Sequence, residues 1–135
     1  MADEIQLRVV TPREMVLDEP VLEVTAPGTA GEFGVLPNHI TFLSSLDPGV
    51  LRFRTARGAR HLAVHEGFAE VADNVMTVLV NAAEFPEQID RQSAEQDLRD
   101  AEGRLEDIPP LDPAHDEAET QRRWAQARLD ALKLH

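Results

Sequence analysis

Apolar and polar residues alternate over several short segments in the first two thirds of the chain. Ile5, Leu7 and Val9 point one way, with Gln6 and Arg8 the other. Leu51, Phe53 and Thr55 oppose Arg52 and Arg54; Leu62 and Val64 oppose His61, Ala63 and His65. A period of two is the mark of a strand. From Val75 to Val80 both phases are apolar apart from Thr77, which predicts a strand buried on both faces. Turn residues punctuate these runs: Thr11-Pro12, Glu19-Pro20, Pro27-Gly28, Asp47-Pro48-Gly49, Arg57-Gly58 and Asp73-Asn74. Short strands so spaced predict an antiparallel β-sandwich or flattened barrel. No helix-period segment separates them, which argues against a parallel α/β sheet.

Past residue 88 the period changes. Ile89, Ala94, Leu98, Ala101, Leu105 and Ile108 step mostly by three and four, one stripe of a helix. Asp90 as N-cap, or Ser93 with Gln96 as a capping box, starts it. Glu95–Arg99 and Asp100–Arg104 are spaced for ion pairs one turn apart. Pro109, Pro110 and Pro113 end the helix. Asp112 then caps a second helix with Pro113 at its first position, and Ala114, Ala118, Gln121, Ala125, Leu129 and Leu132 form its stripe. The expected organisation is a sandwich domain over 1–88 and an antiparallel two-helix hairpin over 89–135. Stripes made mainly of alanine bury little, so the hairpin must pack on the sandwich, on a partner, or alternate between them.

Charge narrows the function. The 135 residues carry 25 acids and 13 bases, net −12, and no cysteine. An acidic chain repels phosphates, so no nucleic-acid partner is expected. There is no thiolate chemistry and no disulfide frame. The one lysine, Lys133, follows no glycine-rich loop, so there is no Walker-type phosphate site. Met1-Ala2-Asp3-Glu4 lacks the basic start of a signal peptide, and no run approaches the roughly 20 apolar residues of a membrane span. No membrane insertion is expected, and a reducing compartment fits.

Candidate chemistry is sparse. His61 and His65 share a strand face, but four strand residues span about 13 Å, too far for one metal ion. They read as polar residues on a solvated or partner-facing sheet surface. His115 and His135 carry no ligand pattern. None of the three serines sits in a nucleophile elbow. No catalytic residue, metal site or cofactor is assigned. The hairpin arginines stand among acids, as in Glu119 with Arg122 and Arg123, which favours local pairing over an anion site. The densest segment is Pro27 to His39, with three glycines and two prolines around Phe33, Val35 and Leu36.

That segment, Gly31-Glu32-Phe33-Gly34-Val35-Leu36-Pro37-Asn38-His39, followed by Leu46-Asp47-Pro48-Gly49, resembles the epsilon subunits of bacterial rotary F-type ATP synthases. Glu66-Gly67-Phe68-Ala69-Glu70-Val71, Asn74 to Val80, and Ala83-Glu84 continue the resemblance, which covers essentially the whole chain. It implies a ten-stranded sandwich with a mobile helical hairpin. It implies a non-catalytic rotor subunit, peripheral on the cytoplasmic face of the bacterial membrane in the F1 sector. The implied partners are the gamma subunit, the ring of c subunits and, with the hairpin extended, the alpha and beta subunits.

Residue by residue, Glu32, with Gly31 and Phe33, matches the loop facing the c ring. His39 matches the gamma contact, and Asn38 replaces the family glycine before it. Arg91, Arg99, Arg122, Arg123 and Arg128 are the regulatory candidates of the hairpin. Ile89, Asp90 and Ala94 match a nucleotide-binding pattern whose arginine is Ser93 here. A nucleotide-sensing module and a metal-dependent hydrolase are the alternatives. Residues 89–135 hold seven bases and twelve acids, net −5. That predicts weak inhibition of ATP hydrolysis unless the arginines collect on one face.

Overall fold

The computed structural model describes residues 3–135; Met1 and Ala2, half of the acidic N-terminal run, lie outside the described residues. Ten strands come first: β1 (Ile5–Val10), β2 (Met15–Val21), β3 (Glu23–Gly28), β4 (Gly31–Val35), β5 (Phe42–Leu46), β6 (Gly49–Thr55), β7 (Gly58–Val64), β8 (Gly67–Ala72), β9 (Val75–Val80) and β10 (Ala83–Glu84). A 3-10 turn at Pro86–Gln88 leads into helices α1 (Arg91–Asp107) and α2 (Pro113–Leu134).

The strand order is β10-β7-β6-β3-β5-β8-β9-β1-β2, with β4 paired to β3. Neighbours are antiparallel except β1 and β9, which run parallel. Strand β2 also touches β6, so the sheet nearly closes on itself. Closure shelters strand edges that would otherwise pair with other chains.

The predicted inward phases meet in one core: Ile5, Leu7 and Val9, Leu51 and Phe53, Leu62 and Val64, with Met76, Val78 and Val80. Strand β9 departs from expectation. Its second phase is not buried, and Leu79 is half exposed opposite Phe68. No layer covers that face of β8 and β9, and an apolar run reads the same with or without a cover. Asp73 and Asn74 both take positive φ, at 51° and 60°, making the tight turn that matches strand twist between β8 and β9.

The hairpin follows its sequence signals at both caps. Asp90 accepts from the Ser93 N–H at 3.3 Å, and Asp112 from the Ala114 N–H at 2.9 Å. The expected α1 ion pairs do not form. Arg99 donates to Gln96, Gln96 to Asp100, and Arg104 crosses the hairpin to Gln121. Gln121, predicted for the buried stripe of α2, is accordingly exposed. Helix α1 packs chiefly on α2, and α2 lies on β6 and β7. Ala127 and Ala131 meet Ala63 and Ile89 there, beside Val50, Trp124 and Leu132. Alanines let helix and sheet approach closely while burying little area.

Candidate interaction surfaces

The β3–β4 turn presents the first candidate. Gly31 sits at φ 125°, a backbone state that disfavours any side chain. Glu32 follows, exposed, and its Oε2 takes Arg52 Nη2 at 2.8 Å. Glu32 lies opposite Pro27 and Arg52 opposite Thr25. Both therefore stand on one sheet face, on either side of β3. Phe33 points the other way, packs on the core and meets Phe42 edge-on, centroids 5.2 Å apart. Of the three loop residues, Glu32 is the charged group offered to solvent; Phe33 builds the floor beneath it.

Phe42 also meets the His39 ring, at 5.8 Å. The His39 N–H donates to the Leu36 carbonyl at 3.1 Å. Its Nδ1 donates to the Ile40 carbonyl at 2.8 Å. Asn38 holds φ 65°, the conformation the family glycine would take. Its N–H donates to Asn74 Oδ1 at 2.8 Å, pinning the loop to the β8–β9 turn.

The sandwich also carries a feature not anticipated from the sequence. Leu36, Ile40, Leu43, Phe68, Leu79 and Met15 are each between 50% and 77% exposed. Pairing sets Phe68 opposite Leu79, Leu79 opposite Val10, and Val10 opposite Met15. That is one outward apolar row across β8, β9, β1 and β2, strands the hairpin leaves bare. The signal was present in the two apolar phases of β9 and in Phe68, which stands out of step with buried Ala69 and Val71. A contiguous exposed row of this kind marks a partner surface.

The hairpin arginines do not gather on one face. Arg122 pairs with Glu119 within α2. Arg123 bridges Glu119 at 3.2 Å and Asp47 of the sandwich at 2.7 Å. Those guanidinium contacts, Arg122 first, hold the Glu119 carboxyl down at about 2. Arg128 turns inward: its Nε lies 2.7 Å from Glu84 Oε1 and its Nη1 3.2 Å from Asp97 Oδ2. It is the buried charge among the described residues. The Glu84 contact is an ion pair by distance whose Nε–H is not aimed as a hydrogen bond. Arg91 and Arg99 remain exposed on α1.

The nucleotide-pattern residues are occupied structurally. Ile89 packs under α2, Asp90 caps α1 and Ala94 is buried. Helix α2 partly covers His61 of β7 and His65 just beyond it. His61 Nε2 donates to the Ala131 carbonyl at 2.8 Å, and His65 packs on Trp124. Each is thus engaged separately. Among the described residues, no group of three or more His, Asp or Glu side chains is placed to hold a metal ion. No helix among them is long and apolar enough to cross a membrane.

Residues 4–86 match the family model described as the ATP synthase delta/epsilon chain β-sandwich domain. The ATP synthase epsilon chain of Nitratidesulfovibrio vulgaris (strain DP4) is 45% identical over 130 residues, 96% of this chain and 97% of that one. The chain belongs to the ATP synthase epsilon family. The epsilon chain of Synechococcus sp. (strain WH7803) is 40% identical over 131 residues, 96% of each. A chain in the Euglena gracilis mitochondrial ATP synthase assembly of OSCP, F1 and c-ring superposes with a TM-score of 0.80 at 27% identity, covering all of this chain and 84% of its own length. A chain of the Tetrahymena thermophila central stalk and c-ring shares the fold, with a TM-score of 0.62 at 19% identity over 94% and 95% of the two chains. The sandwich-plus-hairpin expectation and the resemblance are both borne out. Neither the nucleotide-sensing nor the hydrolase alternative is favoured.

Proposed function

We propose that this epsilon-family chain is a non-catalytic rotor subunit, one that joins a gamma subunit to a c ring while catalysis stays on other subunits. Residues 1–88 form the docking unit and 89–135 the mobile one. The observation that carries this is the pairing of two bare surfaces on one sandwich. The apolar row of Phe68, Leu79 and Met15 suits a large, dry, permanent contact with gamma, which the His39 loop would join from the opposite end of β8 and β9. The exposed Glu32, at the tip of a tight turn with Gly31 and Phe33, suits a polar loop of the c ring, where charge sets register more than affinity. In a bacterium this places the chain on the cytoplasmic face of the membrane, held by its partners.

Capture by purified gamma and by purified c ring tests the reading. Phe68→Asp puts a charge into the apolar row and is expected to weaken gamma capture by about tenfold or more. Glu32→Lys is expected to weaken c-ring capture and leave gamma capture intact. Retention of both contacts in both variants would sink the proposal.

The hairpin is the regulatory part. Extended along gamma, it would offer Arg91, Arg99, Arg122, Arg123 and Arg128 to the alpha and beta subunits. In the docked form three of these five are held in ion pairs within the chain. With its arginines scattered and outnumbered, deleting residues 89–135 is expected to raise ATP hydrolysis by the assembled enzyme less than about threefold, a change on the scale of one exposed ion pair. A rise of an order of magnitude would contradict this.

A further inference from the structure

His65 follows β7, and its ring lies under α2. Its Nδ1 accepts the Glu66 backbone N–H at 2.8 Å. Its face packs on Trp124, ring centroids 5.0 Å apart and planes tilted by 36°. A backbone N–H is always a donor, so this bond requires Nδ1 to carry no proton. Burial pushes the imidazole below its usual range, and the Glu66 carboxylate opposes that effect more weakly. The other charges nearby are already matched. From α2, Arg123 is taken by Asp47 and Glu119. Arg128, 5.8 Å from the Trp124 ring centre, is taken by Glu84 of β10 and Asp97 of α1.

We propose that His65 is a proton-sensitive latch: the hairpin docks on the sandwich with His65 neutral, and acidification lifts it. Protonation sets two N–H donors facing each other across 2.8 Å. The ring must turn, and turning breaks its contact with Trp124. The pull of an imidazolium on an indole face opposes this but does not relieve the donor clash.

The sign follows from linkage. Above the ordinary histidine value of 6.5 both hairpin states hold neutral His65, and docking is indifferent to pH. Below it the undocked ring takes a proton that the docked ring resists. Docking therefore weakens by up to about tenfold per pH unit until the docked ring itself titrates. Two other histidines share this interface. His61 donates from Nε2 to Ala131 in either charge state. His135 lies 3.8 Å from Glu87. Glu119, held at about 2, stays ionised across this window.

The test uses the full chain from about pH 8 to about pH 5, the range in which histidine titrates. Trp124 is the one tryptophan, so its emission reports the His65 contact directly. Emission also senses protonation alone, so amide exchange of Leu62, Ala63 and Val64 beneath α2 decides whether the hairpin has left. Each exchange rate is divided by the intrinsic rate of that amide in an unstructured chain at the same pH, which cancels the intrinsic pH dependence. The wild-type docking constant is expected to fall at least about threefold over this range, with flat profiles in His65→Phe, which keeps a ring, and in His65→Gln, which keeps an acceptor. Protection of Met76 and Val78 verifies that each variant retains its core. A wild-type constant that does not move, or variants that keep the wild-type slope, would overturn the latch. Its bearing on ATP hydrolysis rests on the proposed function. Release in the free chain without any acid-dependent change in the assembled enzyme would leave the latch standing and count against that regulatory role.

Discussion

Gly67→Ala is expected to cost the sandwich about 3 kcal/mol or more, at the severe end for a single added methyl group. A Cβ on Gly67 would lie 1.9 Å from the Leu79 carbonyl oxygen and 2.8 Å from Val80 Cα. Both are backbone atoms, so no side-chain rotation relieves the overlap. Gly67 pairs with Val80 at the start of the β8–β9 ladder. Those two strands bring Ala69, Val71, Met76 and Val78 to the core. Moving them apart opens the core and also tilts the outward row of Phe68 and Leu79. Urea unfolding should show a large fall in midpoint, and gamma capture should fall with it. Gly103→Ala in α1 is the control. Its Cβ meets nothing within 4 Å, so it should strengthen the helix by about 0.5–1 kcal/mol. Equal midpoints for Gly67→Ala and wild type would mean that β8 and β9 separate more easily than this packing allows.

The second large effect belongs to Arg128→Met. Its side chain is 10% exposed and joins three elements at once, pairing with Glu84 of β10 and Asp97 of α1 from its seat on α2. Methionine keeps much of the stem but leaves two carboxylates without their cation. Breaking one side of a buried pair commonly costs 3–5 kcal/mol. Glu84 and Asp97 are 28% and 54% exposed and regain water readily. The expected loss in hairpin docking is therefore nearer about 2 kcal/mol, roughly a thirtyfold shift toward the undocked form. Trp124 emission should move to longer wavelength as the indole meets water. Adding Glu84→Gln should return part of the loss, because the stranded charge, more than the missing contact, carries the cost. Wild-type emission and exchange in Arg128→Met would show that the alanine contacts alone hold the hairpin down.

Much of this was written locally. The inward phases of β1, β6 and β7, both helix caps and the turn at Asp73-Asn74 followed from residue type and spacing, since strand and helix periods are fixed by backbone geometry. Asn38 can stand where the family has glycine because tolerance of positive φ is a property of asparagine itself. The errors share a cause. Leu79 was assigned to the core, although an apolar side chain does not reveal whether a layer lies above it. Glu95 and Arg99 were paired because they stand one turn apart, yet neighbouring amides competed successfully for the guanidinium. His61 and His65 were placed on an open or partner-facing surface because the segment that covers them lies some 60 residues further along the chain.

The sequence by itself determined four of the strands, both helices, the change of period near residue 88, the acidic balance and the family. All of these are set by residues within a few positions of one another, or by a string of motifs in order. Only the tertiary structure decided which surfaces are bare and which are closed. It put Arg128 between Glu84 and Asp97, tied Glu32 to Arg52 across β3, and left Phe68 and Leu79 facing outward. It also set Trp124 on His65. Each of these contacts joins distant parts of the chain, and its energy depends on burial that no local pattern encodes. The charge of −12 argues against a nucleic-acid partner; where those charges are matched, and where they remain on offer, was settled by packing.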